Sequence, residues 1–187
     1  MLSKRSGTGV KKKLMIAVSG KSGCGNTTVS RIVAERLGLK FINFTFRSMA
    51  EETGISLKDV LDLASKDDSW DKEVDRRQLA LADESSGCVL GSRLAIWMLK
   101  NADLKVYLRA DTKTRVARIK SREGGSTEEI ASFTAERDQR DRNRYMRIYG
   151  IDNDNYAFAD MIIDTDSLDP EKIAEKIIEA AMNIGKQ

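Results

Sequence analysis

Short apolar runs alternate along this chain with segments whose apolar residues recur at helical spacing. The runs are KLMIAVSG (13–20), LKFINFT (39–45), CVLG (88–91), LKVYLRA (104–110) and MIIDTD (161–166). Apolar runs of this length predict buried strands. Because helical segments separate them, the pattern predicts an α/β fold: a five-stranded parallel sheet with helices on both faces.

The helical segments carry their own start and stop signals. NTTVSRIVAERLG (26–38) ends at Gly38, a residue type that often terminates helices, and SLKDVLDLASKDD (56–68) opens with Ser56, a preferred N-cap residue. Pro170, in the first turn, suits the start of a last, amphipathic helix. The remaining predicted helices are SWDKEVDRRQLALADESSG (69–87), RLAIWML (93–99) and PEKIAEKIIEAAMNIG (170–185).

A long, highly charged stretch, 111–150, lies between the fourth and fifth predicted strands. It has no broad apolar stripe, so it does not belong in a core. We expect a helical excursion from the sheet, with EGGS (123–126) as a hinge-like turn.

Length and composition predict one domain over 14–187 and exclude several classes of function. The 187 residues suit a single domain. The chain contains no histidine, which removes Ser/His triads, imidazole bases and His-ligated zinc. Cys24 and Cys88 are its two cysteines and indicate no disulfide framework. No apolar run is long enough to cross a membrane, and no secretion leader is evident, so we expect a cytoplasmic protein.

The positive net charge is concentrated at the N-terminus. Residues 1–13 carry five basic residues and no acid, whereas the whole chain has a formal charge of +3. The body from residue 14 onward is therefore slightly negative, a poor non-specific ligand for nucleic acid. We interpret 1–13 as a disordered basic tail and expect no nucleic-acid polymer or membrane partner.

The segment GKSGCGNTT (20–28) has the outline of a phosphate-binding P-loop, since it follows a predicted strand and opens a predicted helix. Glycines there let the backbone adopt positive φ and approach a polyphosphate, and the helix N-terminus presents N–H groups to it. We expect Thr27 to ligate Mg²⁺ through its hydroxyl. The predicted ATP-binding residues of the loop are Gly20, Lys21, Ser22, Gly23, Cys24, Gly25, Asn26, Thr27 and Thr28.

Asn26 stands where the pattern G-x-x-x-x-G-K-[ST] has its lysine. Losing one preorganised donor of this kind costs about 3–4 kcal/mol of transition-state stabilisation. Lys21 is second in the loop, and its stem of roughly 6 Å can swing an ammonium back over the phosphates. We therefore predict that Lys21 is catalytic and replaces the missing cation. The alternative is that Lys21 points to solvent and the chain is a non-catalytic nucleotide-binding module.

Arginines recur where a second phosphate would bind. Arg47 and Arg93 follow two predicted strands, at the edge of the sheet where ligands of open α/β folds bind. Arg137, Asp141 and Arg144 are spaced to share one helix face, either as part of a site or as a solvated face with ion pairs. Arginine forks bind phosphate well, so we expect a second, phosphorylated substrate.

Four segments resemble the cytidylate kinases of the nucleoside monophosphate kinase family, in particular the compact type of archaea and some bacteria. They are FTFRSMA (44–50), DRRQLALADESSGCVLGSRLA (75–95), TRVARIKSREG (114–124) and AERDQRDRNRYMRIYGID (135–152). The resemblance runs from about residue 14 to the end. It implies a P-loop nucleoside monophosphate kinase fold, with a short acceptor-binding region (45–86) and lid and acceptor-binding helices (111–150).

The implied activity is transfer of the γ-phosphoryl group of Mg·ATP to CMP or dCMP by a monomer, giving CDP or dCDP and ADP. By the same resemblance, Arg47 and Arg93 hold the acceptor phosphate, Arg137 and Asp141 hold the ribose, and Arg144 reaches the phosphate or the pyrimidine. A kinase for UMP or AMP is the alternative on the same fold.

The resemblance also implies a lid of three arginines. Arg115 would stack on adenine and so join the ATP-binding residues, while Arg118 and Arg122 would be catalytic by neutralising the transferring phosphoryl group.

This chain departs from the longer bacterial enzymes after its third predicted strand. Those enzymes have Arg-Asp there, with the Asp reading cytosine, whereas this chain has Arg93 and Leu94. Asp75 or Arg77 is then a candidate to read the base from the preceding helix. The other interpretation of both residues is surface ion pairing.

Overall fold

The computed structural model describes residues 13–184 and contains five strands and eight helices within them. The strands are β1 (Met15–Gly20), β2 (Lys40–Ile42), β3 (Cys88–Gly91), β4 (Leu104–Arg109) and β5 (Met161–Asp164). The helices are α1 (Asn26–Leu37), α2 (Phe46–Thr53), α3 (Leu57–Ala64), α4 (Ser69–Glu84), α5 (Ala95–Met98), α6 (Thr112–Glu123), α7 (Thr127–Tyr149) and α8 (Pro170–Ile184).

The strands form one parallel sheet in the order β2-β3-β1-β4-β5. The central strand is β1, in which Ala17 aligns with Leu90 of β3 and with Lys105 of β4. The predicted five-stranded parallel sheet is confirmed. Its order places the end of β1, and therefore the P-loop, between the ends of β3 and β4.

Helices cover both faces of the sheet, as predicted. Alternate residues of β1 point to opposite faces, and all six are buried. Ile16 and Val18 pack with the apolar sides of α1 and α8, whereas Met15 and Ala17 pack with α5 and the C-terminal part of α4. Both faces are therefore closed, and a ligand has access to the ends of the strands.

Most boundaries agree with the sequence pattern, but β2 is shorter than predicted. The sheet pairing ends at Ile42, and Thr45 then caps α2 by accepting from the backbone N–H of Ser48 in a reciprocal capping box. The N-cap of a helix that was not predicted therefore lies inside the segment assigned to the strand, and the helix itself begins at Phe46.

The charged stretch forms two helices, α6 and α7, and the predicted hinge lies at their joint. Gly124 and Gly125 adopt positive φ, 76° and 95°, which glycine tolerates without strain. Ser126 then caps α7 in a capping box with Glu129. Two glycines in left-handed geometry are the feature that lets α6 and α7 pack side by side.

The predicted disordered tail lies outside the described residues, except for Lys13. The Nζ of Lys13 donates to the backbone carbonyl of Asp83 at 2.6 Å. Among residues 13–184, no helix combines the length and apolar character that crossing a membrane requires.

Candidate functional site

One large cleft opens where β1, β2 and β3 end. Its volume is about 1480 Å³, and we call it the strand-end cleft. It is lined by the P-loop, by residues 43–46 and 91–94, and by residues of α3, α4, α6, α7 and α8. It includes all nine predicted loop residues, together with Asp75, Arg93, Arg118, Arg122, Arg137, Asp141 and Arg144. Arg47, Arg77 and Arg115 do not line it.

Two of the loop glycines adopt the backbone conformation expected of a phosphate-binding loop. Gly23 and Gly25 have φ of 86° and 88°. A Cβ on Gly23 would also lie 2.9 Å from Arg115. The prediction that the loop glycines adopt positive φ is wrong for Gly20, whose φ is not positive. Its need for glycine comes from packing, because a Cβ there would lie 2.7 Å from the carbonyl oxygen of Leu108.

Asn26 is used structurally. Its Nδ2 donates to the carbonyl oxygen of Ser92 at 3.2 Å, and its Oδ1 accepts from the hydroxyl of Ser30 at 2.9 Å. The side chain therefore ties the start of α1 to the segment that carries Arg93. The bond to Ser92 directs the amide toward the end of β3, and the bond from Ser30 holds it within α1.

Lys21 lies in the cleft and forms an ion pair at the edge of the loop. Its Nζ is 2.6 Å from a carboxylate oxygen of Asp154, in the segment that follows α7, and both side chains are partly exposed. A partly exposed pair is weak, so the ammonium is held beside the loop and can be released to a stronger anion. Whether it acts as the missing cation stays a prediction.

Thr27 presents the one hydroxyl that we predicted as a metal ligand. It is exposed at the first turn of α1, and Asn43 Nδ2 lies 3.4 Å from its Oγ1. No cluster of acidic or cysteine side chains that could hold a metal occurs among residues 13–184. Mg²⁺ typically binds through few protein groups together with substrate phosphates and water, and one exposed hydroxyl fits that pattern.

Cys24 has no sign of reactivity. It is buried, and this burial raises the pKa of its thiol above the ordinary value, outweighing the nearby charge of Arg115. The side chain packs with the apolar core beneath the loop. Its contribution to nucleotide binding is therefore limited to its backbone.

A chain of alternating charges crosses the far side of the cleft. Arg93 Nη1 contacts Asp141, whose other carboxylate oxygen is 3.1 Å from Arg144 Nη2. Arg144 in turn places its Nε 3.4 Å from Asp71 of α4. Desolvation lowers the pKa of Arg93 to about 10, so the guanidinium stays charged at neutral pH. We call these four residues the charge relay row.

Two further predicted acceptor residues lie outside this row. Arg137 is half-buried in the cleft, and desolvation lowers its pKa. Arg47 is exposed on the first turn of α2. Neither takes part in an ion pair with another described residue, so both guanidinium groups can bind a phosphate.

Arg115 is buried beneath the P-loop. Its guanidinium donates to the carbonyl oxygen of Ser22 at 2.7 Å and to both carboxylate oxygens of Asp138 at 2.7 and 2.9 Å. These contacts join α6 and α7 to the loop. The adenine-stacking role of Arg115 stays a prediction, and this supporting position does not favour it.

The other two lid arginines face the cleft. Arg118 donates to the carbonyl oxygen of Gly23 at 3.3 Å and to the hydroxyl and carbonyl oxygens of Thr165 at 2.9 and 2.5 Å. Arg122, one turn further along α6, is mostly exposed and contacts Glu123. Arg118 thus supports the loop at Gly23, and Arg122 has only an exposed ion pair to break before it moves.

The contacts of Arg115 lead to a prediction about the free energy of unfolding. Replacing Arg115 by alanine leaves Asp138 without its partner in a mostly buried position, which we expect to lower the free energy of unfolding by about 3 kcal/mol. Urea denaturation measures the change. The control is Arg109→Ala, which removes an exposed pair with Asp164 and should cost at most about 1 kcal/mol. A rise in KM for ATP at unchanged stability would instead support stacking on adenine.

Asp75 and Arg77, the two residues predicted as candidates to bind the base, each contact another side chain of the protein. Tyr149 donates its hydroxyl to Asp75 at 2.6 Å, and burial raises the pKa of Asp75 to about 6. Arg77 pairs with Glu52 at 2.6 Å and lies over the ring of Phe44. Asp75 lines the cleft, whereas Arg77 makes the kind of ion pair that our alternative interpretation described.

The sequence analysis missed several polar residues at the site. Asp71 and Gln78 line the cleft from α4, Asp138 holds Arg115, and Asp154 holds Lys21. Asp71 and Gln78 could have been found, because residues seven positions apart lie on the same face of a helix. The partners Asp138 and Asp154 carry no local signal, since their contacts depend on how α7 packs.

Comparison with known proteins gives consistent similarities. The model of the cytidylate kinase-like family matches residues 15–167. Cytidylate kinase 2 of Borreliella afzelii (strain PKo) is 44% identical over 88% of this chain and 94% of its own length. Cytidylate kinase of Pyrococcus horikoshii is 43% identical over 92% of this chain and 90% of its own length. The structure of shikimate kinase from Acinetobacter baumannii in complex with shikimate aligns with a TM-score of 0.62 at 18% identity, covering 92% of this chain and 95% of that one, a likeness of fold.

Proposed function

The chain belongs to the cytidylate kinase-like family, and we propose that it transfers the γ-phosphoryl group of ATP to CMP, giving CDP and ADP. The observation that carries this proposal is the strand-end cleft, which is lined both by a P-loop and by the partly buried arginines of the charge relay row. Two anion sites in one cleft suit a reaction between two phosphorylated substrates.

The P-loop is proposed to bind the phosphates of ATP. Backbone N–H groups from Lys21 to Thr28 and the N-terminus of α1 provide the donors. Thr27 would hold Mg²⁺ together with the phosphate oxygens of ATP. When bound, Mg²⁺ neutralises charge on the β- and γ-phosphates.

The charge relay row is proposed to bind CMP. Arg93, with Arg47, would hold the acceptor phosphate, because guanidinium forks match phosphate oxygens, and Arg137 would hold the ribose beside Asp141. Asp141 lies between Arg93 and Arg144 as a negative group that an acceptor phosphate can displace. Asp141 would then be free to accept from the ribose hydroxyls.

Catalysis in this arrangement rests on alignment and charge neutralisation. The CMP phosphate is already an anion at neutral pH, so the chain needs no histidine or other strong base. Lys21, Arg118 and Arg122 would neutralise the transferring group, and α6 with α7 would close as a lid around Gly124 and Gly125 to exclude water. Arg122 is the most exposed of these side chains and would move most.

An acceptor panel tests the proposed function. With ATP and Mg²⁺, we expect ADP release to depend on the acceptor and kcat/KM to be highest for CMP or dCMP, then lower for UMP and AMP. A coupled ADP-release assay measures this, with acceptor-free reactions to subtract ATP hydrolysis and excess chelator to show the requirement for Mg²⁺. A higher kcat/KM for AMP than for CMP would contradict the proposal. No turnover with any acceptor would support a non-catalytic module.

Several finer expectations stay predictions. They are a monomeric state, a cytoplasmic location, and the absence of nucleic-acid and membrane partners. The slightly negative charge of residues 14–187 supports the expectation for nucleic acid, since a polyanion would be repelled. Size-exclusion chromatography with light scattering measures the oligomeric state directly.

A further inference from the structure

Some polar atoms of α4 and α7 at the strand-end cleft are buried and have no hydrogen-bond partner among the described residues. Asp71 is 7% exposed and Gln78 is 4% exposed. Both belong to the face of α4 that lines the strand-end cleft. Their atoms Asp71 Oδ2 and Gln78 Oε1 have no hydrogen-bond partner among the described residues, and Arg144 Nε has none beyond its ion pair with Asp71 Oδ1 at 3.4 Å.

Buried polar atoms are usually paired, because leaving one unpaired costs about 1–3 kcal/mol. The three atoms here comprise two acceptors and one donor at the same end of one cleft. The remaining groups of these side chains are used: Gln78 Nε2 donates to Asp75, and Arg144 Nη2 donates to Asp141. The unpaired atoms therefore form a small recognition surface with a defined polarity.

We propose that Asp71, Gln78 and Arg144 read the base of the acceptor nucleotide. This inference rests on the proposed function. The two acceptors would take hydrogen bonds from the exocyclic amino group of cytosine, and Arg144 would donate to the adjacent ring nitrogen or carbonyl oxygen. Asp75 would position Gln78 through its hydrogen bond without touching the base.

The order of groups along the cleft supports this assignment. Arg93 is nearest the P-loop, Asp141 follows, then Arg144, and Asp71 is furthest along the charge relay row. A nucleotide that places its phosphate at Arg93 and its ribose at Asp141 extends its base toward Arg144 and α4. The unpaired atoms lie at the end where the base would arrive.

The arrangement of two acceptors and one donor on this surface favours cytosine over uracil. Uracil carries an oxygen where cytosine carries its amino group, so UMP would place an acceptor against two acceptors. Sites built on buried hydrogen bonds reject ligands that leave those groups unpaired. The same surface does not separate cytosine from adenine, which also places an amino group beside a ring nitrogen, so the size of the pocket has to exclude AMP.

The ratio of kcat/KM for CMP to kcat/KM for UMP tests this inference. We expect Asp71→Asn and Gln78→Leu each to lower that ratio about tenfold to a hundredfold, the discrimination that a good pair of hydrogen bonds to a base provides. The effect should be equal for dCMP, because the ribose is not involved. Glu73→Gln is the matched control, since it neutralises an exposed carboxylate of the same helix and should leave the ratio unchanged.

Changing the substrate while keeping the wild-type protein gives a measurement that a folding defect of a variant cannot affect. The wild-type protein should use the pyrimidin-2-one analogue of CMP, which lacks the amino group, about tenfold or more less efficiently than CMP. If the analogue equals CMP, or if folded variants keep the wild-type ratio, the inference is overturned while the proposed function stands. If the wild-type protein does not turn over CMP at all, both are overturned.

Discussion

Replacing Lys21 by alanine is expected to lower kcat for CMP phosphorylation by about 10²–10³-fold, the usual effect of removing one preorganised charged donor from a transition state. The reason is that Asn26 cannot supply the cation. Its amide is committed to Ser92 and Ser30, whereas Lys21 lies in the cleft with an ammonium held by a partly exposed ion pair. Steady-state kinetics with saturating ATP and CMP measure the change.

The ion pair with Asp154 requires its own control. Asp154→Asn removes the partner but keeps the ammonium, so kcat should stay within about fivefold of wild type, the range of a weak, exposed pair. If Asp154→Asn loses as much activity as Lys21→Ala, the activity depends on the Lys21–Asp154 ion pair and not on the ammonium as a catalytic cation. If kcat of Lys21→Ala stays within a few-fold of wild type, Lys21 does not replace the missing cation.

A second substitution tests where the charge is needed. In Lys21→Ala, a further change of Asn26→Lys puts an ammonium at the position that the usual pattern gives to lysine. Recovery of about tenfold or more in kcat would show that the two positions serve the same phosphates. The double variant also loses the Asn26 hydrogen bonds, so its stability has to be measured beside that of Asn26→Ala.

The sheet could be predicted from the sequence because parallel strands buried on both faces read as continuous apolar runs. CVLG is four residues long and matches β3 at both ends. The helix α2 could not be found in this way. Only residues 43–45 separate it from β2, and its capping box uses Ser48 in place of the Glu or Gln that usually marks this motif.

The P-loop was predictable because its function is encoded in consecutive residues. The supports of the loop were not, because they come from distant parts of the chain. Arg115 reaches Asp138 across 23 positions, and Arg118 reaches Thr165 across 47. The sequence identifies such arginines as candidate ligands for phosphate, but only the packing of α6 and α7 shows that two of them bind the loop itself.

The same limit applies to the acceptor side. The spacing of Arg137, Asp141 and Arg144 predicted one shared helix face, either in a site or solvated, and all three residues line the cleft. It did not predict that Asp141 contacts Arg93 or that Arg144 reaches Asp71. These contacts depend on how α7 crosses the ends of the strands, which no local pattern records.

The second large effect is expected at Arg93. Replacing it by alanine should lower kcat/KM for CMP by about 10²–10³-fold, since Arg93 pairs with the buried Asp141 and truncating one partner of a largely desolvated, hydrogen-bonded charge pair costs about 2–5 kcal/mol. Arg93 follows directly from the end of β3, and its side chain is 24% exposed. Because its pKa is about 10, it is charged throughout the neutral range, and the loss should not depend on pH between about 6 and 8.

The selectivity of this loss distinguishes a ligand from a structural residue. KM for ATP should change little in Arg93→Ala, because the contacts of the P-loop do not involve this guanidinium. Arg36→Ala is the control: it removes an exposed arginine of α1 that pairs with Glu171 of α8, so kcat/KM for CMP should stay within about fivefold. An equal rise in KM for both substrates would contradict an acceptor role for Arg93 and indicate instead that the cleft collapses when Asp141 loses its partner.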